Sequence, residues 1–257
     1  MTSQMILTAL PGFPLVFPGN DLAVLILKGV ERAGLTLQDG DLLVVTQKVV
    51  SKAEGRLINL MEVDPSSEAI RLAEETDKDP RLVEVILNES RQVLRKRNGI
   101  IIVEHRLGFV CANAGVDHSN VQGEVGQKGE WVTMLPLNPD ASAQMLCERL
   151  KDATGAEIGV IIIDSHGRAW RLGTVGIAIG VAGFPALLDL RGRPDLFGDP
   201  LMTTQVGLAD EVAAAASILM GQADEGIPVI HIRGLPYTLR EGTLDEILRP
   251  KELDLFR

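Results

Sequence analysis

Short runs of apolar residues recur along this chain, and longer segments with helical spacing separate them. The runs at 42–45 (LLVV), 159–163 (GVIII) and 229–232 (VIHI) have the length and composition of strands buried on both faces of a sheet. Their order is irregular, so we predict a mixed α+β fold with irregular sheets rather than a regular doubly wound sheet. The 257 residues are predicted to form a single domain over 1–257, with two interleaved subdomains.

Capping residues, prolines and glycines mark where helices begin and end between these runs. Two of the predicted helices, which begin near 64 and 80, form a helical insert near 64–98. Residues 100–103 and 109–112 are predicted to pair as a hairpin. The predicted helices run from 21 to 32, from 64 onward, from 80 to the Asn98-Gly99 pair, from 139 to 155 and from 208 to 220, and a short one follows the capping box at Thr243.

The charge balance and the apolar pattern limit the classes of function. Asp and Glu outnumber Lys and Arg by 35 to 25, and the net charge is −10. This balance argues against a protein that tracks a nucleic-acid backbone. The longest apolar run, 175–188, is too short to span a bilayer, so no membrane partner is expected. Cys111 and Cys147 lie in apolar contexts and are expected to be buried, reduced thiols of a cytoplasmic protein.

Familiar catalytic motifs are missing from the sequence. There is no P-loop, no dinucleotide-binding fingerprint, no nucleophile elbow and no histidine pair with zinc spacing. A polar segment at 46–56 (TQKVVSKAEGR) directly follows the strand 42–45 and is predicted to be a loop. Lys48, Lys52 and Arg56 after this strand are placed to receive phosphate oxygens, and the alternative is a solvated surface segment.

Two further polar segments are predicted to be loops that carry acids. Asp117 lies in 113–120 (NAGVDHSN), and Asp164 directly follows the strand 159–163. Together the two carboxylates offer hard oxygen ligands for magnesium or manganese at a sheet edge. The alternative is that each only caps a turn, since aspartate favours such positions. The residues alone thus indicate a nucleotide bound through two acids, a divalent metal and basic side chains.

Read together, these segments resemble one family. The matching pieces are FPLVFPGNDL, DGDLLVVTQKVVSKAEGR, NAGVDHSNV, PLNPDASA, IIIDSHGRAWRLGTVGIAIGVAG, DLRGRPDLFG and ADEVAAAASILMGQADEGIP, in this order. The set extends from about residue 10 to about residue 242 and resembles the coenzyme F420:L-glutamate ligases, also called F420-0:gamma-glutamyl ligases. Some relatives carry a fused nitroreductase-like domain, and this chain resembles the single-domain form.

The resemblance implies a reaction and its partners. GTP phosphorylates the terminal carboxylate of the deazaflavin precursor, and the amino group of L-glutamate attacks the acyl phosphate to form an amide. Further glutamates join through gamma-linkages. One or two divalent ions, magnesium or manganese, and a monovalent potassium ion are implied beside the nucleotide, and the implied assembly is an intertwined homodimer.

The resemblance also assigns roles to residues of this chain. It implies that Asp117, Asp164 and Lys52 are catalytic, and that Asp117, Asp164, Ser165 and Gln222 are metal ligands. Some relatives have Glu where Gln222 stands, so a weaker second metal site is expected. The implied GTP-binding residues are Phe13, Pro14, Leu15, Val16, Gln47, Lys48, Lys52, Asn120, Met220, Gly221, Gln222, Ala223, Asp224, Glu225, Gly226 and Ile227.

Two other functions remain open at the level of sequence. One is a metal-dependent phosphohydrolase, or an amide ligase that acts on another carboxylate, since the motifs indicate phosphoryl transfer more firmly than the acceptor. The other is a nucleotide-binding regulator without turnover. The presence of Asp117, Asp164, Lys52 and a hydroxyl at position 165 counts against the regulator.

Overall fold

The computed structural model describes residues 4–118, 121 and 129–255. Its mixture of helices and small sheets confirms the predicted α+β fold. The strands are β1 Ile6–Ala9, β2 Leu42–Thr46, β3 Leu57–Asn59, β4 Ser90–Arg97, β5 Ile100–His105, β6 Val110–Ala112, β7 Trp131–Thr133, β8 Gly159–Arg168, β9 Arg171–Ala182, β10 Leu188–Asp189, β11 Gln205–Val206 and β12 Val229–Arg233. The helices are α1 Leu22–Arg32, α2 Gln47–Ala53, α3 Ser67–Thr76, α4 Pro80–Asn88, α5 Pro139–Thr154 and α6 Leu208–Met220, with 3-10 turns at Leu60–Glu62, Asn113–Gly115, Leu244–Glu246 and Lys251–Leu253.

A five-stranded sheet with the order β1-β12-β2-β8-β9, here called the main sheet, lies at the centre of the fold. Its strands β2 and β8 are parallel, whereas the other neighbouring pairs are antiparallel. Leu43 and Val45 of β2 face a hydrophobic cluster with α1 and α5, and Leu42 and Val44 face a second cluster with α6. Because successive side chains of a strand point to opposite faces, a strand covered on both faces is apolar throughout.

Helices α5 and α6 pack closely on opposite faces of β9. A Cβ atom at Gly180 would lie 2.5 Å from the carbonyl carbon of Pro139, at the start of α5. A Cβ atom at Gly176 would lie 2.7 Å from the carbonyl oxygen of Ala213 in α6. The two glycines reach opposite faces because β9 has an extra residue, Ile179, at a bulge in its pairing with β8. Glycine thus allows both helices to touch the backbone of the sheet.

A smaller layer covers one end of the main sheet. Strands β4, β5 and β6 form a three-stranded antiparallel sheet, and β3 pairs with β7. The predicted hairpin of 100–103 and 109–112 is confirmed as β5 and β6. Helices α3 and α4 pack on each other and on β4. The hydrophobic cluster on the α1 side of the main sheet continues into this layer, so the two layers share one core.

The predicted helix from 80 to 98 is wrong in its second half. Helix α4 ends at Asn88, and residues 90–97 form β4, which pairs with β5 across the Asn98-Gly99 turn. Gly99 has φ of +79°, a conformation that a tight hairpin turn requires. The helical insert is therefore confined to α3 and α4.

Other boundaries also differ from the prediction. Helix α3 begins later than the Asp64-Pro65 signal, because the Ser66 hydroxyl accepts from the Ala69 amide at 3.2 Å and caps it. The capping box at Thr243 opens only a 3-10 turn without a side-chain cap bond. Both cysteines are free as predicted, but only Cys111 is fully buried and Cys147 is half-buried. In the described part of the chain, no helix is both long and apolar enough to cross a membrane.

Candidate active site

The polar segments singled out in the sequence lie where β2 ends beside β8. Thr46, the last residue of β2, lies opposite Ile163 in this parallel pair, so Gln47 leaves the main sheet beside the point where β8 continues into Asp164. The amide of Thr46 donates to the carbonyl of Pro228 at 2.9 Å, which brings the segment before β12 to this edge. Ligands of α/β proteins bind at such carboxyl edges, because there the chain leaves the sheet and exposes polar groups.

The segment 46–56 was predicted to be a loop and is mostly helical. Helix α2 begins at Gln47, directly after β2, and its residue Val50 packs into the core. Gln47 and Ser51 are buried, and the Ser51 hydroxyl donates to Gln47 Oε1 at 2.9 Å inside the helix. The helix fixes Lys48 and Lys52 one turn apart, so that their side chains lie on the same face.

Two lysines and an aspartate form the positive part of the site. Lys48 Nζ lies 2.7 Å from Asp117 Oδ2, and both side chains are partly exposed. Burial lowers the pKa of Lys52 below its usual value, and the charge of Lys48 lowers it further, while Asp117 acts in the opposite direction. The two ammonium groups together outweigh the one carboxylate, so this cluster favours an anionic ligand.

Asp117 is fixed by a short bridge to β7. The backbones of Asp117 and Thr133 exchange two hydrogen bonds of 2.9 and 3.0 Å. The 3-10 turn before it contains left-handed residues at Asn113, Ala114 and Gly115. A Cβ atom at Gly115 would lie 2.8 Å from the side chain of Leu135, so glycine is required at that close approach. Asn120, an implied GTP-binding residue, lies outside the described residues.

Asp164 does not end its strand, contrary to the prediction, because β8 continues to Arg168 and pairs with β9. Asp164 Oδ2 lies 3.0 Å from His166 Nε2. The sequence pattern missed His166, although a strand that continued would have placed it two residues on and on the same face as Asp164. Burial raises the pKa of the nearby Cys111 thiol to about 12, and the negative charge of Asp164 adds to this effect.

Successive side chains of β8 point to opposite faces of the main sheet, so the four implied metal ligands form two pairs, Asp117 with Asp164 and Ser165 with Gln222. Ile162 belongs to the cluster on the α2 side and Ile163 to the cluster on the α6 side. Asp164 therefore faces the α2 side, as the lysine cluster with Asp117 does, whereas Ser165 faces the α6 side. There the Ser165 hydroxyl donates to Gln222 Oε1 at 2.9 Å.

The described residues contain no group of three or more His, Cys, Asp or Glu that could hold a metal ion. A complete protein cage is therefore not built from the part of the chain that the structure describes. Two carboxylates on one face fit a different arrangement, in which magnesium or manganese takes one or two protein ligands and fills the remainder with phosphate oxygens and water. The donor set thus fits an ion that arrives with a nucleotide.

The loop after α6 is folded back on itself. Gly221 has φ of +71°, and a Cβ atom there would lie 2.0 Å from the carboxyl carbon of Glu225. The Glu225 carboxylate accepts from the Ala223 amide at 2.8 Å. Met220 is buried and Ile227 packs against the same cluster, so both ends of the loop are anchored. Asp224 and Gly226 remain exposed between them.

The segment from Phe13 to Val16 follows β1 and lies beside α2. Val16 is buried in the core and Phe13 packs against it, while Pro14 and Leu15 are exposed. The amide of Gly19 donates to the carbonyl of Ala53 at 2.8 Å, which ties this segment to the end of α2. The segment 13–16 is therefore tied to α2, and the loop 220–227 reaches the main sheet beside Ser165; their part in GTP binding stays a prediction.

Comparison with known proteins shows the family of the chain. The sequence model of the family F420-0:Gamma-glutamyl ligase matches residues 12–234. A coenzyme F420:L-glutamate ligase of Methanothermobacter thermautotrophicus is 49% identical over 253 residues, which cover 98% of each chain. The ligase of the same name in Methanocaldococcus jannaschii is 46% identical over 90% of this chain and 93% of its own, and that of Archaeoglobus fulgidus is 43% identical over 96% and 94%. The chain therefore belongs to the F420-0:gamma-glutamyl ligase family.

Proposed function

We propose that this protein is a coenzyme F420:L-glutamate ligase that uses GTP to activate a carboxylate. The ligase activity rests on membership of the family, whose named relatives match nearly the whole chain. The observation that carries the nucleotide part is the cluster of Lys48, Lys52 and Asp117 at the shared edge of β2 and β8. Its positive excess suits a triphosphate, and the acids suit the ion bound to it.

The proposed reaction has two steps. A carboxylate oxygen of the deazaflavin precursor attacks the γ-phosphorus of GTP, the bond to the β-phosphate oxygen breaks, and GDP leaves. The amine of L-glutamate then attacks the acyl carbon, the carbon–oxygen bond to phosphate breaks, and inorganic phosphate and a proton are released. Because an acyl phosphate hydrolyses readily, the site has to exclude water until the amine arrives.

Each residue of the cluster has a role that follows from its position. Lys48 and the half-buried Lys52 neutralise the negative charge that builds up on the β-phosphate as GDP leaves. Asp117 and Asp164 would hold a divalent ion, magnesium or manganese, and Ser165 with Gln222 would hold a second. When bound, such ions neutralise phosphate charge and align the phosphoryl group with the attacking oxygen. A potassium ion beside the nucleotide is part of the proposal.

The His166 side chain positions Asp164 in this scheme. Its Nε2 atom lies 3.0 Å from the carboxylate, and the ring is nearly buried against Phe109 at a centroid distance of 5.4 Å. A packed imidazole beside a carboxylate restricts the rotation of that carboxylate, which favours metal binding without further ordering.

The proposed assembly is a homodimer. Trp170, in the turn between β8 and β9, and Leu172, near the start of β9, are 88% and 97% exposed, and Leu196 and Phe197 in another segment are 99% and 92% exposed. Large exposed apolar side chains are typical of surfaces covered by another chain. Sedimentation of the wild type and of Leu172→Asp tests the dimer, which the substitution should dissociate.

The proposed location is the cytoplasm, where the two free cysteines stay reduced.

One assay tests the activity. Purified protein is incubated with GTP, manganese, L-glutamate and the deazaflavin precursor, and the masses of the products are measured by mass spectrometry. A gain of one glutamyl unit with release of GDP supports the ligase. Cleavage of GTP without ligation would instead support a phosphohydrolase or a ligase for another carboxylate, and binding without cleavage would support a regulator.

The choice of nucleotide is tested by replacing GTP with ATP. A pocket that pairs the edge groups of guanine leaves those groups unpaired when adenine enters, so ATP should turn over far more slowly. Equal turnover with ATP would contradict the proposed specificity while leaving the ligase activity intact.

A further inference from the structure

A polar cavity of about 190 Å³ lies between the turn after β5 and the segment after β7. Its lining combines charged groups with apolar ones and consists of Glu89, His105, Arg106, Leu107, Pro136 and Leu137. The proposed transfer of phosphate uses none of these side chains.

The cavity carries one surplus positive charge. The Glu89 carboxylate is nearly buried and accepts from Arg56 Nη2 at 2.8 Å and from Arg106 Nη2 at 3.1 Å. One carboxylate thus faces two guanidinium groups. A second negative charge from a ligand would balance this cluster, because arginine stays charged at any ordinary pH.

His105 lines the same cavity and has one ring nitrogen without a hydrogen-bond partner among the described residues. Its Nδ1 atom accepts from the Leu107 amide at 3.0 Å, so the proton of the neutral ring lies on Nε2. That nitrogen, Nε2, is buried, and Glu89 Oε2 is 3.8 Å away. Burial lowers the pKa of His105 to about 4, so the ring is neutral at pH 7. A buried donor left unpaired costs free energy.

Two short paths connect this cavity to the proposed metal ligands. The Arg56 carbonyl accepts from Thr133 Oγ1 at 3.2 Å, and the Thr133 backbone holds Asp117. On the other side, the His105 ring stacks on Phe109 at a centroid distance of 5.3 Å, and Phe109 contacts His166. The cavity therefore lies against the residues that fix the reacting groups.

We infer that this cavity binds L-glutamate, the amino acid to be joined. The inference rests on the proposed ligase function and adds the location of one substrate. L-glutamate carries one net negative charge at neutral pH, which matches the surplus of the cluster. One carboxylate pairs with Arg106 beside the buried ring of His105, and the methylene groups pack on Leu107, Pro136 and Leu137. L-glutamine lacks the second carboxylate and should bind less well.

The test compares two variants with a matched control. Arg106→Gln removes the positive charge that is half exposed at the cavity, and Leu137→Glu adds a negative charge at a side chain that is 64% exposed. Arg95→Gln on the neighbouring strand β4 is the control, because Arg95 points to solvent and bonds only to the adjacent Leu94 carbonyl among described contacts. For each protein, the KM for L-glutamate, GTP and the deazaflavin substrate is measured, together with L-glutamate binding by calorimetry with and without GTP.

The expected result is a rise of about tenfold or more in the KM or Kd for L-glutamate in both variants, as for loss of a charge-assisted contact. The KM for GTP and for the deazaflavin substrate should stay unchanged, and Arg95→Gln should behave as the wild type. An unchanged KM for L-glutamate in active variants would overturn the subsite. A rise in the KM of the deazaflavin substrate alone would assign the cavity to the acceptor carboxylate and also overturn it.

Failure of the ligase itself gives a different result. If the wild type joins no glutamate but binds it, and the two variants bind it at least tenfold more weakly, the cavity stands while the proposed function falls. A wild type that binds no L-glutamate, with or without GTP, would overturn the subsite directly.

Discussion

Replacing Lys52 with methionine separates the charge of this side chain from its packing. The side chain is half-buried, and its pKa is lowered first by burial and then by the charge of Lys48. Methionine has a similar length and an apolar stem, so Lys52→Met keeps the packing and removes the ammonium group. The charged form of a lysine whose pKa is lowered costs folding free energy at neutral pH. The variant should therefore unfold at the same temperature as the wild type or at a higher one.

Activity should change in the opposite direction. If the ammonium group meets the triphosphate, its loss removes a charge-assisted contact worth about 1.5–3 kcal/mol. That free energy corresponds to a fall of roughly tenfold to over a hundredfold in kcat/KM for GTP. Lys52→Arg should restore only part of the rate, because a planar guanidinium does not replace a compact ammonium in a close site. When kcat/KM for GTP is plotted against pH, it should begin to fall at a pH below 10.5, which is the ordinary pKa of lysine.

The assay is steady-state kinetics with GTP varied, combined with thermal unfolding of the same samples. Lys28→Met is the matched control, since Lys28 is exposed on α1. An unchanged kcat/KM in Lys52→Met would remove Lys52 from the site. A fall in activity that is accompanied by a large fall in Tm would show a structural role and would refute the reasoning from charge.

Three further results are expected. Asp164→Asn, which keeps size but removes the charge beside His166, should fold normally and lose most activity in the ligation assay; activity that survives would reduce Asp164 to a structural residue. Gly180→Ala should lower the free energy of unfolding in urea by about 3 kcal/mol, because the new methyl group meets the start of α5 at 2.5 Å, while Gly167→Ala, with no neighbour within 4 Å, should stay close to wild type. Arg233→Gln should cost about 2–3 kcal/mol at neutral pH, since Asp41 is buried and accepts two bonds of 2.7 and 2.8 Å from Arg233. Burial raises the pKa of Asp41, but hydrogen bonds from Arg233, from His231 and from the Gln38 amide together hold it below 3.8. This stability is therefore present above that pH and is lost as the pH falls through the folded pKa; an equal cost of the substitution at pH 2 and pH 7 would contradict the assignment.

The elements that sequence predicted well are those whose local signals agree with their surroundings. The strands 42–45, 159–163 and 229–232 are apolar because both faces of the main sheet are covered, and α5 begins and ends at its proline and glycine signals. The segment 90–97 was mistaken for helix because Val93 and Leu94 continue the helical spacing of α4. The Asn98-Gly99 pair, which is typical of a tight hairpin turn, favours a strand over a helix at 90–97, and the turn pairs that segment with β5.

The candidate site was predicted in part for the same reason. Lys48, Lys52, Asp117 and Asp164 are polar residues that follow apolar runs, and such residues are conspicuous in a sequence. The cavity at His105 left no such signal, because it is assembled by contacts between distant parts of the chain. Arg56 reaches Glu89 across 33 positions, and Arg106 reaches it across 17. Only the folded structure shows that the two arginines share one carboxylate.

The single parallel pair in the main sheet explains why the site forms where it does. In an antiparallel pair, a chain leaves one strand where its neighbour begins, so the residues after two strands lie at opposite edges. Because β2 and β8 are parallel, Gln47 leaves the sheet at the point where β8 extends past its partner into Asp164, and antiparallel β12 begins at the same edge beside Thr46. Three chain segments thus converge at one place: α2, the continuation of β8, and the loop from α6. The topology of the sheet thus brings a basic helix, an acid and a glycine-bounded loop to one end of the strands, and the proposed phosphate binding there needs no P-loop.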